Sequence, residues 1–291
     1  MQRIFLVGSG QTKHIQKLLA SGERRFFAPR GSGWRGRLDM ALGILRADRV
    51  YVVGNFSERI VRFAGLCRKK LIIHWIGTDV YNYLRAPRRL RVYDHAMHLA
   101  CSPLLRQELA SVGIRAQFIP IVPQQLPMEL QSVPPRHAAL AYIPQGKETF
   151  YHAELVTALA ARHPDIPFYI VANKGFETPA ADNVIFCGTL DAGQMEEMYR
   201  KISVLVRLPE HDGLSLMLME ALAKGKQVVY RYEHPGAVAP ASMDIDAVDR
   251  AFCSVIEKAP ELNLVGHDYV LEHYAPEKIQ ELYSEYHVLD L

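Results

Sequence analysis

The stretch Val204-Leu205-Val206-Arg207-Leu208-Pro209-Glu210-His211-Asp212-Gly213-Leu214-Ser215-Leu216-Met217-Leu218-Met219-Glu220-Ala221-Leu222-Ala223-Lys224-Gly225 decides the fold class. A strand is predicted at Ser203–Arg207, followed by a Pro-bearing loop and a helix at Leu214–Lys224 that Gly225 can end as a C-cap. In open α/β sheets, ligands bind beyond the carboxyl ends of the strands, which is where this loop must lie.

The residues of the loop suit an anion. The helix start offers backbone N–H groups around Gly213, Leu214 and Ser215, together with the positive end of the helix dipole. Gly213 has no side chain to hold a diphosphate off the backbone, and Arg207 at the strand end can add a charge-assisted hydrogen bond. Glu220 lies about two turns along, where a carboxylate can accept from vicinal hydroxyls such as those of a ribose. Asp212 is placed to accept from the hydroxyls of a sugar beyond the diphosphate. A plain helix cap and turn would use Asp and Gly in the same way. Glu220, however, stands among Leu216, Met217, Leu218, Met219, Ala221 and Leu222, so it either points to water or is buried with a partner.

Working outward, short β-rich runs alternate with stretches of helical period, the pattern of a parallel sheet covered on both faces. Strands are predicted at residues 3–7, 25–28, 49–53, 70–75, 98–101 and 117–121, with helices at 11–20, 58–67 and 103–111. Pro120, Pro123, Pro127, Pro134 and Pro135 then crowd together and read as a linker. The alternation restarts with strands at 139–143, 168–172, 183–187, 203–207 and 227–230, separated by helices at 149–162, 192–201 and 214–224. The expected class is α/β with two Rossmann-like domains, 1–125 and 137–275, joined by a linker at 126–136. A C-terminal helix at 276–291 opens at Pro276 and could pack back on the first domain.

The 291 residues suffice for two domains with their own cores. The net charge of +3 conceals an asymmetry, since residues 1–125 hold 21 Lys and Arg against 7 Asp and Glu, while residues 126–291 hold 13 against 24. The basic half is expected to meet an anionic partner, and Arg85, Arg88, Arg89 and Arg91 form one short basic stretch within it. Cys67, Cys101, Cys187 and Cys253 form no CxxC pair and read as four buried, reduced thiols rather than a zinc or disulfide framework. Neither a signal peptide nor a membrane-spanning run is evident, so a cytoplasmic protein is expected, peripheral at the inner membrane face if the basic half docks there.

The spacing Asp212-x7-Glu220, followed by Ala221-Leu222-Ala223-x-Gly225-x-x-Val228-Val229, resembles the E-x7-E donor motif of retaining GT-B glycosyltransferases, specifically glycosyltransferase family 4, here with Asp in the first place. The segment His74-Trp75-Ile76-Gly77-Thr78-Asp79 is similar to a cleft-facing H-W-x-G-T/S-D segment of some members. The resemblance implies the GT-B arrangement, two Rossmann-like βαβ domains facing across a cleft. It implies a sugar transferred with retention from a nucleotide diphosphate, a UDP- or GDP-sugar, to an acceptor hydroxyl, with no metal and no bound cofactor. His74, Asp79 and Asp212 become catalytic candidates. Arg207, Gly213, Leu214, Ser215, Glu220 and Lys147 become donor-binding candidates, although members commonly carry an Arg as well as a Lys where this chain offers Lys147. Gly8, Ser9 and Gly10 after the first strand, which read as a tight turn and fail the dinucleotide fingerprint, resemble the family's cleft-lining glycine loop, and Gly77 joins them. The partners implied are the nucleotide-sugar and an acceptor glycan, lipid-linked or otherwise anionic, in glycan biosynthesis. A nucleic-acid glycosyltransferase, a non-catalytic GT-B binding protein and a nucleotide-sugar epimerase are the rivals.

Overall fold

Short apolar runs that do not alternate make strands buried on both faces, and this chain forms two sets of them. The computed structural model describes residues 2–20, 24–29, 33–54, 57–86, 91–123, 129–177 and 180–289. Two compact units result, one comprising Met1–Gln125, His211–Leu214 and Tyr274–Leu291, the other Leu126–Glu210 and Ser215–His273.

The first unit runs β1 (Gln2–Gly8), α1 (Thr12–Leu19), β2 (Arg24–Phe27), α2 (Gly33–Arg46), β3 (Arg49–Val53), α3 (Glu58–Leu66), β4 (Lys70–Trp75), α4 (Thr78–Arg85), a 3₁₀ turn at Arg91–His95, β5 (Met97–Ala100), α5 (Pro103–Ser111) and β6 (Ala116–Phe118). Its strands pair in parallel in the order β2-β1-β3-β4-β5-β6. Every residue of β3 is buried. Ser102 caps α5 through Leu105 N at 3.2 Å, with Pro103 in the first turn.

Two helices of this unit were not anticipated. α2 carries Gly33, Gly36 and Gly43, which read locally as breakers, yet a Cβ on Gly43 would stand 2.4 Å from the Phe5 ring. The glycine is what lets the helix lie close on β1. α4 begins at Thr78, inside the segment read as a cleft loop.

The second unit runs β7 (Ala139–Tyr142), α6 (Ala153–Arg162), β8 (Phe168–Val171), β9 (Val184–Gly188), α7 (Ala192–Lys201), β10 (Val204–Arg207), α8 (Leu216–Ala223), β11 (Gln227–Tyr230), α9 (Ile245–Ile256) and α10 (Leu264–Tyr274). These strands also pair in parallel, in the order β11-β10-β7-β8-β9. The core gathers Ile143, Val156, Phe168, Ile170, Val206 and Phe252 between the sheet and the helices α6 and α9. α6 opens at Ala153, four residues after the expected start, because Thr149–His152 form turns and His152 takes a left-handed φ of 51°.

The last helix, α11 (Pro276–Glu285), is part of the first unit. Gln280 Nε2 donates to Leu18 O at 2.8 Å, and the buried Arg49 guanidinium donates to Val288 O at 2.8 Å. Residues 124–128 of the Pro-rich segment lie outside the described residues, as do Arg88 and Arg89. Its described remainder is fastened to the second unit, where Gln131 N donates to Lys224 O at 3.2 Å and Lys226 Nζ to Ser132 O at 3.2 Å.

Candidate functional site

In the second unit, β7 and β10 are neighbours, but the chain leaves β7 toward β8 and leaves β10 toward β11. The connections diverge there and open a crevice at the carboxyl ends of the strands, the place where such sheets hold ligands. Arg207 is the last residue of β10 and is buried. Its guanidinium carbon lies 5.9 Å from the centre of the Tyr142 ring and 5.7 Å from that of Tyr151. Lys147 is exposed in the turn that follows β7. Gly146 turns there with φ at 77°, and Glu148 accepts from Gly146 N at 2.9 Å and from Asn173 Nδ2 at 2.8 Å. Hydrogen bonds from its own and neighbouring backbone hold the Glu148 carboxyl below its usual range.

α8 starts at Leu216, two residues later than expected, because the buried Ser215 is its cap and accepts from Leu218 N at 3.3 Å. The N–H groups of Leu216 and Met217 have no carbonyl one turn back within the helix. Glu220, which the sequence singled out, is half-buried and paired. Its Oε2 accepts from the Tyr199 hydroxyl at 2.8 Å. Burial pushes its carboxyl up from the ordinary value, against the Tyr199 hydrogen bond and the Lys224 charge that hold it down. Lys224 Nζ, itself buried, lies 2.9 Å from Glu196 Oε2 and 5.3 Å from the Tyr199 ring centre.

The first unit holds the other candidates, and it engages several of them structurally. A Cβ on Gly8, whose φ is 134°, would stand 1.9 Å from Val53 O. Ser9 N donates to Val53 O at 2.9 Å and its hydroxyl accepts from Gln11 N at 3.3 Å, whereas Gly10 has open space around it. The Ile76–Gly77 turn is organised by Asp79, whose Oδ1 accepts from Gly77 N at 2.8 Å and from Ile76 N at 3.1 Å. Asp79 is buried, and burial raises its pKa against those hydrogen bonds. Its carboxylate therefore positions the turn.

His74 is engaged in the core of the same unit. It is fully buried, its Nε2 lies 2.8 Å from Ile119 O and its Nδ1 2.9 Å from the Tyr51 hydroxyl. A carbonyl only accepts, so Nε2 carries the proton, Tyr51 donates to Nδ1, and the Tyr283 hydroxyl, 2.7 Å away, donates to Tyr51. Burial lowers the His74 pKa to about 4. Both ring nitrogens are thus engaged within the core.

Asp212, Gly213 and Leu214 are counted with this unit. A Cβ on Gly213 would stand 2.0 Å from Ile76 O, so only glycine lets this segment lie on the Ile76–Gly77 turn. The Leu214 backbone N–H holds the Cys101 thiol down against the burial that pushes it up. Asp212 is half-buried.

Sequence reasoning missed the partners of these residues. Tyr199 lies 21 positions from Glu220 on another helix, and Tyr142 and Tyr151 flank Arg207 only once β7 and β10 have paired. His211 is buried with its Nε2 3.0 Å from Glu108 Oε2 and its ring 5.2 Å from Tyr81. The expectation of four buried thiols holds for Cys101; Cys67 and Cys187 are half-buried and Cys253 is exposed. Cys253 stands near His163 and Asp249, a trio whose donor atoms could converge on a metal, but the Arg162 guanidinium already holds Asp249 at 3.0 Å. A cavity of about 830 Å³ opens between α6 and the Gln145–Thr149 turn. None of Arg207, Ser215 and Glu220 lines it.

No protein-family model matches the sequence, and no curated protein does. Solved structures do. Sucrose-phosphate synthase from Thermosynechococcus elongatus superposes with a TM-score of 0.72 at 13% identity, over 99% of this chain and 100% of that one. The lipopolysaccharide outer core galactosyltransferase WaaB superposes at 0.70 and 14% identity, over 100% of both. The UDP-forming α,α-trehalose-phosphate synthase from Burkholderia xenovorans superposes at 0.67 and 9% identity, over 98% and 99%. The chain has the GT-B fold, with two Rossmann-like units of parallel sheet and interleaved helices.

Proposed function

We propose that the chain is a glycosyltransferase that takes a sugar from a nucleotide-diphosphate donor and passes it to an acceptor hydroxyl with retained configuration. The observation that carries this reading is Glu220, a half-buried carboxylate held by Tyr199 on the helix that follows β10, beside the sheet's switch point. A carboxylate kept there at a cost in solvation is suited to accept from two vicinal hydroxyls of a ribose. Arg207 and Lys147, on the two connections that diverge at that point, would receive the diphosphate, with the first N–H groups of α8. As the glycosidic bond breaks, negative charge grows on the leaving diphosphate, and these groups stabilise it. Two cationic side chains supply what a divalent ion would otherwise supply, so the transfer is proposed to need no metal. Asp212 is our candidate for the hydroxyls of the donor sugar, and Gly213 for close approach of the backbone.

The similar structures include enzymes whose names specify galactosyl transfer to lipopolysaccharide and the release of UDP. Those names support a UDP-sugar as the first donor to try. The basic first half favours an anionic acceptor, such as a lipid-linked or phosphorylated glycan in glycan biosynthesis, over a neutral one. A nucleic acid is the less favoured anion. A second reading, a donor-binding protein without transfer, is favoured by His74 and Asp79, which are both consumed by structural hydrogen bonds.

The test is a thermal-shift titration with UDP, GDP, ADP and CMP, alone and as sugar conjugates. A ligand at 100 times its dissociation constant adds about 2.7 kcal/mol to stability. Stabilisation by one nucleotide with slow release of its sugar supports the transferase. Stabilisation without release supports the binding protein, and no stabilisation at millimolar concentration defeats both.

A further inference from the structure

The structure assigns a membrane-docking face to α2: we propose that this helix lies in the headgroup layer of an anionic bilayer, with its apolar stripe inward and its arginines on lipid phosphates. The reading of an anionic, lipid-linked acceptor gains a partner from this inference, but the docking itself does not rest on donor chemistry.

Four large apolar side chains of α2 face solvent. Trp34 is 67% exposed, Leu38 52%, Leu42 36% and Leu45 52%. At 3.6 residues per turn these four fall within about 80° of arc, a single stripe along the helix. The opposite face is the packed one, where Gly43 and Ile44 are buried and Gly43 meets Phe5 of β1. The stripe is therefore not the helix's core face left uncovered; a second apolar face has been placed on the solvent side. Scattered exposed apolar residues need no explanation, whereas four aligned on one helix mark an interaction surface.

The charges identify the occupant. Arg35 and Arg46 border the stripe on one side and Arg37 on the other, all exposed. Arg35 also lies over the Trp34 ring, 5.5 Å from its centre. An apolar stripe with Trp at one end and arginines along both borders fits the interfacial layer of a bilayer, which offers hydrocarbon to the stripe and phosphate to the guanidinium groups. α3, packed beside α2, ends on Leu66, 82% exposed, and presents Arg59 and Arg62 to solvent. Residues 1–125 as a whole carry an excess of 14 positive charges. A second copy of so basic a surface would repel the first, and duplex nucleic acid would use the arginines but leave the four apolar side chains in water.

The experiment is co-sedimentation of the full chain with vesicles of phosphatidylcholine alone or mixed with phosphatidylglycerol, read together with tryptophan fluorescence. The chain has two tryptophans, and Trp75 is 1% exposed, so a blue shift on adding vesicles reports Trp34. Binding is expected with the anionic vesicles, with a blue shift that Trp34→Phe abolishes, and it weakens as salt is raised from about 0.1 to about 0.5 M. Leu38→Gln with Leu45→Gln should weaken it about 30-fold or more by removing two leucines from the hydrocarbon, while the thermal midpoint stays at the wild-type value. Both substitutions sit on solvent, so loss of fold is not the expected cost. The proposal is overturned if anionic vesicles do not bind, if the double variant binds as well as wild type, if duplex DNA binds and displaces vesicles, or if the stripe mediates a dimer that the double variant dissolves.

Discussion

The Tyr199 hydroxyl donates to Glu220 Oε2 at 2.8 Å, and this bond partly offsets the burial that raises the Glu220 carboxyl pKa. A carboxyl whose folded pKa stands above its unfolded value weakens the native state at every pH above the folded value. That weakening is relieved as pH falls through the window toward the unfolded value. Glu220→Gln keeps an acceptor for Tyr199 and removes the charge. At neutral pH its thermal midpoint is expected at or above that of wild type, the difference shrinking as the buffer is acidified. Donor-induced stabilisation, about 2.7 kcal/mol at 100 dissociation constants for wild type, should vanish. A variant that is less stable at neutral pH yet still binds the nucleotide would show that Glu220 is structural.

The two glycines of the first loop make opposite predictions. At Gly8 a Cβ meets Val53 O at 1.9 Å with φ at 134°, so Gly8→Ala is expected to cost about 1–3 kcal/mol. Around Gly10 nothing lies within 4 Å, so Gly10→Ala should change stability by no more than about 0.5 kcal/mol. Urea midpoints of the two variants check this directly. Equal costs would mean that the loop rearranges around either residue.

Gly213→Ala tests the β10–α8 connection in the same terms. Its Cβ would approach Ile76 O to 2.0 Å, so the segment must move, at a cost of about 1–3 kcal/mol in urea titration. If the backbone there also approaches the donor, nucleotide affinity should fall further than stability accounts for. Unchanged affinity in a folded variant would remove Gly213 from the donor site.

How far such residues could be read in advance depended on whether their reasons were local. The strands Arg49–Val53, Lys70–Trp75 and Gln227–Tyr230 and the helices Pro103–Ser111 and Ala192–Lys201 stand where their apolar spacing and caps placed them, because those signals lie within the segment. α2 was missed because Gly43 within it answers to Phe5, a contact some forty positions away. Glu220 was legible as an acid in an apolar run, but Tyr199 was not, since no local pattern ties one helix to another. His74 and Asp79 were read from a motif, and a motif does not say which way a side chain points. The structure turns one into the core and spends the other on its own turn.

His74 carries a pH prediction. Its folded pKa of about 4 lies below the ordinary 6.5, so the unfolded chain takes up the proton first. The stability this site contributes is complete above pH 6.5 and is lost as pH falls toward 4, up to about 3 kcal/mol over that window. His74→Phe removes this titration, so its urea midpoint should fall less steeply on acidification than that of wild type, although it starts lower by about 2–3 kcal/mol because Tyr51 and Ile119 O lose their partner. Turnover per folded molecule should not change. A large loss of turnover with stability intact would place His74 in the catalytic set.

Lys226 makes the mirror-image case on the basic side. It is fully buried, its Nζ donates to Ser132 O at 3.2 Å, and its pKa is pushed down to about 8 by burial and then by the charge of Lys224, with Glu196 holding it up. Below pH 8 the ammonium is charged in both states and the native state bears the whole cost of burying it. As pH rises from about 8 toward 10.5 the folded lysine releases its proton first, and that cost disappears. Lys226→Met fills similar space without a charge. It should stabilise the chain near pH 7 by up to about 3 kcal/mol, less about 1 kcal/mol for the lost bond to Ser132. The advantage over wild type should close as the titration is repeated toward pH 10. A variant less stable than wild type by the same margin at both ends would mean that Glu196 compensates the buried ammonium fully, so that the lysine pair fastens the Leu130–Ser132 segment to the end of α8 rather than straining it.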